Sequence, residues 1–185
     1  MYTLYIDTHY INLVIALYKD NKVIAKKELS SNKHSSYTVP TINDILKEKN
    51  ITIKELNEVI VINGPGSFTG VRIGIVLAKI LGYTLNIPIK SISYLEAMSL
   101  NYNTEVTIGL KDKNGVFIGT FDSNNNLVED YYYLKNNELE TSELNIIYDD
   151  SIDLTKVYNY TRTKDNINPH LLKPLYVKKI EVEVW

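Results

Sequence analysis

The chain has 185 residues, 44% hydrophobic and 23% charged, enough to bury one substantial core or two small ones. A formal net charge of −2 argues against an autonomous nucleic-acid binder, and the absence of cysteine excludes disulfides, thiolate metal ligands and cysteine nucleophiles together. No apolar run approaches the roughly 20 residues that span a bilayer, and the start lacks a basic segment followed by an apolar core, so a cytoplasmic protein with no membrane role is expected.

Taken in chain order, residues 2–7, 11–18 and 23–29 alternate with a β period and are joined by short turns, which predicts three antiparallel strands. Residues 34–49 read as a helix, with Val39, Ile42, Ile45 and Leu46 on one side. Pro40 interrupts it, either in the first turn of a helix starting near Val39 or as a bend in one starting by Ser35. The apolar, β-branched run 58–62 predicts a buried strand. A helix over 68–83, a strand over 88–92 and a helix over 93–101 complete an α/β first half.

The junction Asn63-Gly-Pro-Gly-Ser-Phe-Thr-Gly-Val-Arg-Ile-Gly74 holds four glycines, a proline and one of only two arginines. Gly64, Pro65 and Gly66 turn the chain, and Ser67 or Thr69 can cap the helix that follows. Gly70, Gly74, Ala78 and Gly82 recur every four residues as a ridge without bulk. Such a ridge suits close packing on the chain's own sheet or against a partner, and both readings stay open. An anion at this helix start is physically reasonable. The spacing nevertheless fits neither a P-loop, which needs Gly-Lys-Ser/Thr, nor a dinucleotide fingerprint, and Ser67 lacks the flanking glycines of a nucleophile elbow.

Beyond about residue 103 the pattern turns β-rich, with strands predicted over 105–110, 116–121 and 127–134. Residues 138–165 are weakly patterned, with one short strand near 145–148, and the chain ends on an alternating run over 180–185. A division into an α/β unit, 1–100, and a smaller β-rich unit, 101–185, follows.

These residues together resemble the bacterial TsaB family, also called YeaZ: Ile6-Asp7-Thr8 on the first strand, His34 opening the first helix with Val39-Pro40 and Ile45-Leu46 after it, the block 64–74, and Pro174-Leu-Tyr-Val-Lys178. The resemblance is strong through about residue 100. It implies an actin-like (ASKHA, ribonuclease H-like) α/β fold with two subdomains, the second shortened. It further implies a non-catalytic partner of the TsaD transferase in making threonylcarbamoyladenosine at position 37 of tRNA, working by heterodimerisation, with a TsaE-type ATPase and with tRNA reached through the complex. No cofactor is expected on the isolated chain, ATP or ADP and metal being held by the partner subunits. A homodimer is expected when the chain is alone.

By the same resemblance the helices starting near His34 and Ser67 form the docking surface. Phe68, Gly70, Val71, Arg72, Gly74, Ile75, Ala78, His34, Val39 and Ile42 are the candidate interface, and Gly64, Pro65, Gly66 and Ser67 the loop that positions it. Arg72 is expected to tie that loop by donating to carbonyls or to reach a carboxylate across the interface. Asp7 and Thr8 stand where a catalytic relative would hold magnesium and phosphates, a vestigial nucleotide site here. The alternative is an actin-fold ATPase or kinase with Asp7 as metal ligand. A metallopeptidase is weaker still, because Thr38 stands where a second helical histidine would pair with His34. His9 and His170 read as surface or loop residues.

Overall fold

The computed structural model describes residues 1–30, 33–148 and 151–178, and the alternating run over 180–185 lies outside them. Strands β1 (Tyr2–Asp7), β2 (Asn12–Lys19) and β3 (Lys22–Ser30) form an antiparallel meander. Helix α1 (His34–Glu48) carries the chain across to β4 (Leu56–Ile62), and α2 (Phe68–Leu85) carries it on to β5 (Ile89–Ile92), so β1, β4 and β5 run parallel. The sheet order is β3-β2-β1-β4-β5. It is the ribonuclease H-like half of an actin-like fold.

Strand alternation divides the core between the two faces of this sheet. Leu4, Ile6, Ile15, Val59 and Val61 meet Ile42 and Ile45 of α1 and Val71, Ile75 and Ala78 of α2. Tyr5, Ala16, Tyr18, Ile60 and Ile62 point the other way, onto α3 (Tyr94–Ser99) and onto a second sheet. That sheet has the order β8-β7-β6-β9, from β6 (Val106–Asp112), β7 (Gly115–Phe121), β8 (Tyr132–Lys135) and β9 (Ile146–Ile147). The strand expected over 127–134 therefore forms mainly at its end, and a four-residue helix, α4 (Asn136–Leu139), follows it.

The weakly patterned stretch contains an unforeseen helix, α5 (Leu154–Arg162), whose first amides at Thr155 and Lys156 donate to the Asp153 carboxylate. It buries Val157 and Tyr158 and packs on the first sheet, with the Tyr158 ring 5.0 Å from Tyr18 and Arg162 paired to the buried Glu58. Residues 167–178 then run back along α2: the Ile167 amide donates to the Ile89 carbonyl, Leu172 is buried and the Leu175 amide donates to the Asn63 carbonyl. A boundary at residue 100 separates the two sheets, but 154–178 return to the first unit.

Helix α2 sits unusually close to β1. A Cβ at Gly70 would lie 2.1 Å from the Thr8 carbonyl oxygen, and one at Gly74 would lie 2.6 Å from the Thr8 hydroxyl. The small-residue ridge is thus covered by the chain's own sheet, which decides between its two readings. Because the obstacle at Gly70 is backbone, Gly70→Ala should destabilise the fold by about 1–3 kcal/mol or more, measured by urea unfolding. An alanine at the exposed Val76 should change stability by less than about 0.5 kcal/mol.

Candidate functional site

At the end of β1 the Asp7 carboxylate is buried and fully engaged. Its Oδ1 accepts from the His9 backbone amide at 3.1 Å and from His9 Nδ1 at 2.5 Å, and Oδ2 receives a long 3.4 Å contact from the Tyr5 hydroxyl. A carboxylate only accepts, so Nδ1 carries the proton. Burial, and then the neighbouring Asp7 charge, hold the Tyr5 phenol well above its ordinary value, so it remains a neutral donor. The His9 ring stacks on Tyr94 at 4.2 Å, and its Nε2 is buried without a partner. Far from being a surface residue, His9 is buried against Asp7. Thr8 is equally committed, its hydroxyl donating to the Gly70 carbonyl at 2.7 Å. Among the described residues no group of three or more His, Asp or Glu side chains is placed to hold a metal.

The same strand end fixes the start of α2. The Ser67 amide donates to the His9 carbonyl at 2.6 Å, and the Ser67 hydroxyl caps the Gly70 amide at 3.3 Å. Gly66, at φ +155°, lies so close that a Cβ there would be 2.1 Å from the His9 carbonyl oxygen. Beyond this loop the two faces of α2 diverge. Gly70, Val71, Gly74, Ile75 and Ala78 are buried in the chain's own core, so as a free contact surface these five expectations are corrected. His34 and Ile42 are buried as well; a carbonyl only accepts, so His34 Nε2 carries the proton and donates to the Tyr10 carbonyl.

Phe68, Arg72 and Val39 are exposed. The outward row of α2, Arg72, Val76, Ile80 and Tyr83, lies opposite the glycine ridge and is apolar where a solvated helix would be polar. Val76 and Ile80 are each 51% exposed, and Tyr83 69%. Tyr37 of α1 and Leu171 of the returning segment are exposed as well. The outward row was legible as the positions i, i+4, i+8 and i+11 from Arg72, once the ridge was assigned inward. By length and composition α2 would also pass as a bilayer span, a consequence of carrying apolar residues on both faces. Arg72 does not tie the Gly64–Gly66 loop; its guanidinium lies 3.6 Å above the Phe68 ring and Nε donates to the Tyr176 hydroxyl.

Between the two sheets lies a cleft of about 980 Å³, lined by Tyr10, Ser67, Phe68, Phe117, Lys111 and Tyr176 among others. Its aromatic and cationic walls suit a planar or anionic guest. At its rim Asp112 accepts from the Tyr133 hydroxyl at 3.1 Å and from Lys178 Nζ at 3.3 Å. Burial opposes the Asp112 charge, but hydrogen bonds from the Lys113 amide, Tyr133 and Lys178 outweigh it and hold the carboxyl below its ordinary value. A depressed pKa contributes stability at pH above the ordinary carboxylate value, and that contribution fades as pH falls through the folded value. By carboxyl NMR, Asp112 should titrate below 3.8, and Lys178→Ala should raise the midpoint; an unshifted midpoint in both would contradict the contact.

Fold and site define a class: an actin-like α/β protein whose strand-end carboxylate is closed by its own histidine and whose second crossover helix shows an apolar outer face. The family model for TsaD, tRNA N6-adenosine threonylcarbamoyltransferase, matches residues 20–111. The tRNA threonylcarbamoyladenosine biosynthesis protein TsaB of Bacillus subtilis (strain 168) is 40% identical over 102 residues, 55% of this chain and 44% of that protein. The protein of the same name from Buchnera aphidicola subsp. Schizaphis graminum is 33% identical over 129 residues, 66% of this chain and 61% of its own length. YeaZ from Pseudomonas aeruginosa superposes with a TM-score of 0.75 at 17% identity, covering 95% of this chain and 100% of that one, which shows the shared fold. Over part of its length the chain is similar in sequence to proteins named TsaB, and it shares the fold of YeaZ. It spans about half the length of the curated relatives it matches.

Proposed function

We propose that the chain is a non-catalytic subunit in tRNA threonylcarbamoyladenosine formation, docking through the outer faces of α1 and α2 onto a TsaD-type transferase. The observation that carries this reading is the row Val76, Ile80 and Tyr83, apolar and exposed on a helix whose other side is already buried. The likeness of residues 20–111 to the transferase family supports a pairing of two related folds across a quasi-two-fold interface. The names of the relatives support the pathway.

In this role the subunit contributes differential affinity for the working conformation of the transferase, and no chemistry of its own. A TsaE-type ATPase joins the same assembly in the cytoplasm. Nucleotide and metal sit on the partner subunits, and tRNA is engaged by the complex. Alone, the chain covers the same face with a second copy.

The double variant Val76→Asp, Ile80→Asp should keep its melting temperature within about 2 °C of wild type, both positions being exposed. It should fail to co-purify with the cognate transferase and fail to restore the modified nucleoside in a strain lacking the subunit. Retained assembly would overturn the docking surface. The ATPase reading is tested separately by magnesium-dependent ATP hydrolysis on the isolated chain. Turnover at background level in both wild type and Asp7→Ala is expected, because the Asp7 oxygens are occupied by His9 and Tyr5. Robust turnover abolished by Asp7→Ala would contradict the non-catalytic role.

A further inference from the structure

The outward row of α2 begins with a cation that is held in place and, among the described residues, left without an acid. Arg72 Cζ lies 3.6 Å from the Phe68 ring centroid and 5.7 Å from that of Tyr176, and the two rings are 5.2 Å apart. Nε donates to the Tyr176 hydroxyl at 2.8 Å. Phe68 comes from the same helix one turn earlier, and Tyr176 from the returning segment, so the guanidinium is clamped from two parts of the chain. Among the described residues, nothing accepts from Nη1 or Nη2 and no carboxylate faces them. The chain's other arginine, Arg162, shows the contrast, since it is paired with Glu58. Along its whole length α2 carries two cations, Arg72 and Lys79, and no Asp or Glu.

We infer that Arg72 is the specificity-determining anchor of the docking face. Its free Nη fork receives a carboxylate presented by the partner's helix, one turn from the point where that helix packs on Val76. This rests on the docking surface proposed above and names what the partner must bring to it. A guanidinium already stacked on one ring and hydrogen-bonded to the hydroxyl of a second loses little further freedom when it engages a carboxylate, and its planar fork binds one bidentately. Arginine and tyrosine in such a setting are the residue types that dominate interface energetics.

Charge complementarity also separates the partners. In a second copy of this chain α2 itself offers no acid to Arg72, and a guanidinium packed against that helix is buried unpaired, which disfavours self-association relative to a heteromeric partner whose helix supplies the acid.

The test uses the full chain and its cognate transferase. Dissociation constants are measured by calorimetry at about 50 and 300 mM salt for wild type, Arg72→Gln, Arg72→Lys and Val76→Asp, and self-association by sedimentation equilibrium. Arg72→Gln should weaken the heteromeric complex by roughly tenfold or more and flatten its salt dependence. Its homodimer should tighten, because the unpaired guanidinium is gone, a split that a general structural defect does not produce. Arg72→Lys should keep the salt dependence but recover only part of the affinity, since it retains charge without the fork. If Arg72→Gln binds the transferase like wild type while Val76→Asp does not, this inference fails and the docking surface stands. Equal weakening of both assemblies also overturns it. Should Val76→Asp bind normally too, the docking surface itself is wrong.

Discussion

The near-contact between α2 and the end of β1 governs the rest of the molecule. With no side chain at Gly70 or Gly74, the helix backbone comes down onto the Thr8 carbonyl and hydroxyl, and Thr8 returns a hydrogen bond to the Gly70 carbonyl. That approach fixes the rotation of the helix about its axis. Once the ridge of small residues faces the sheet, geometry sends Arg72, Val76, Ile80 and Tyr83 outward on the opposite side. The exposed apolar row is therefore determined from within, by the positions where side chains are missing.

Electrostatics at the strand end serve the same arrangement. At the tip of the first strand Asp7 accepts from His9 and Tyr5. His9 works in two directions, its ring held by Asp7 and Tyr94 while its carbonyl receives the Ser67 amide. The closed carboxylate thereby supports the loop that begins α2. At the far side of that loop, residues 167–178 run along α2 and reach Asp112 and Tyr133 on the second sheet through Lys178. One segment touches the exposed helix, the cleft and both sheets.

Most of the first unit was legible because its signals are local. Alternation marked β1 to β3, the apolar runs marked β4 and β5, and Ser67 with the glycine repeat marked the start and face of α2. What the repeat could not say was which surface it met, because a ridge without bulk suits a sheet and a partner equally. The answer lies in the β1 carbonyls, a contact between segments some 60 residues apart that leaves no local trace. His9 was misjudged for a similar reason, since a histidine just past a strand looks exposed until Asp7 and Tyr94 are folded around it. Helix α5 was missed although Asp153 caps it and Leu154, Val157, Tyr158 and Thr161 share a face; its threonines, tyrosines and asparagine are indifferent helix formers. Tertiary packing on Tyr18 and Glu58 supplies what propensity lacks.

The central claim is that α2 has one face consumed by its own sheet and the other reserved for a transferase subunit. A chain without cysteine allows this to be read directly, by placing a single cysteine at Val76 or, as a control, at the exposed Lys54, and measuring thiol-labelling rates with and without the cognate transferase. The expected result is fast labelling at both sites in the free chain and strong protection at position 76 alone in the complex. Labelling at position 76 that is unchanged when the complex has demonstrably formed would contradict the account.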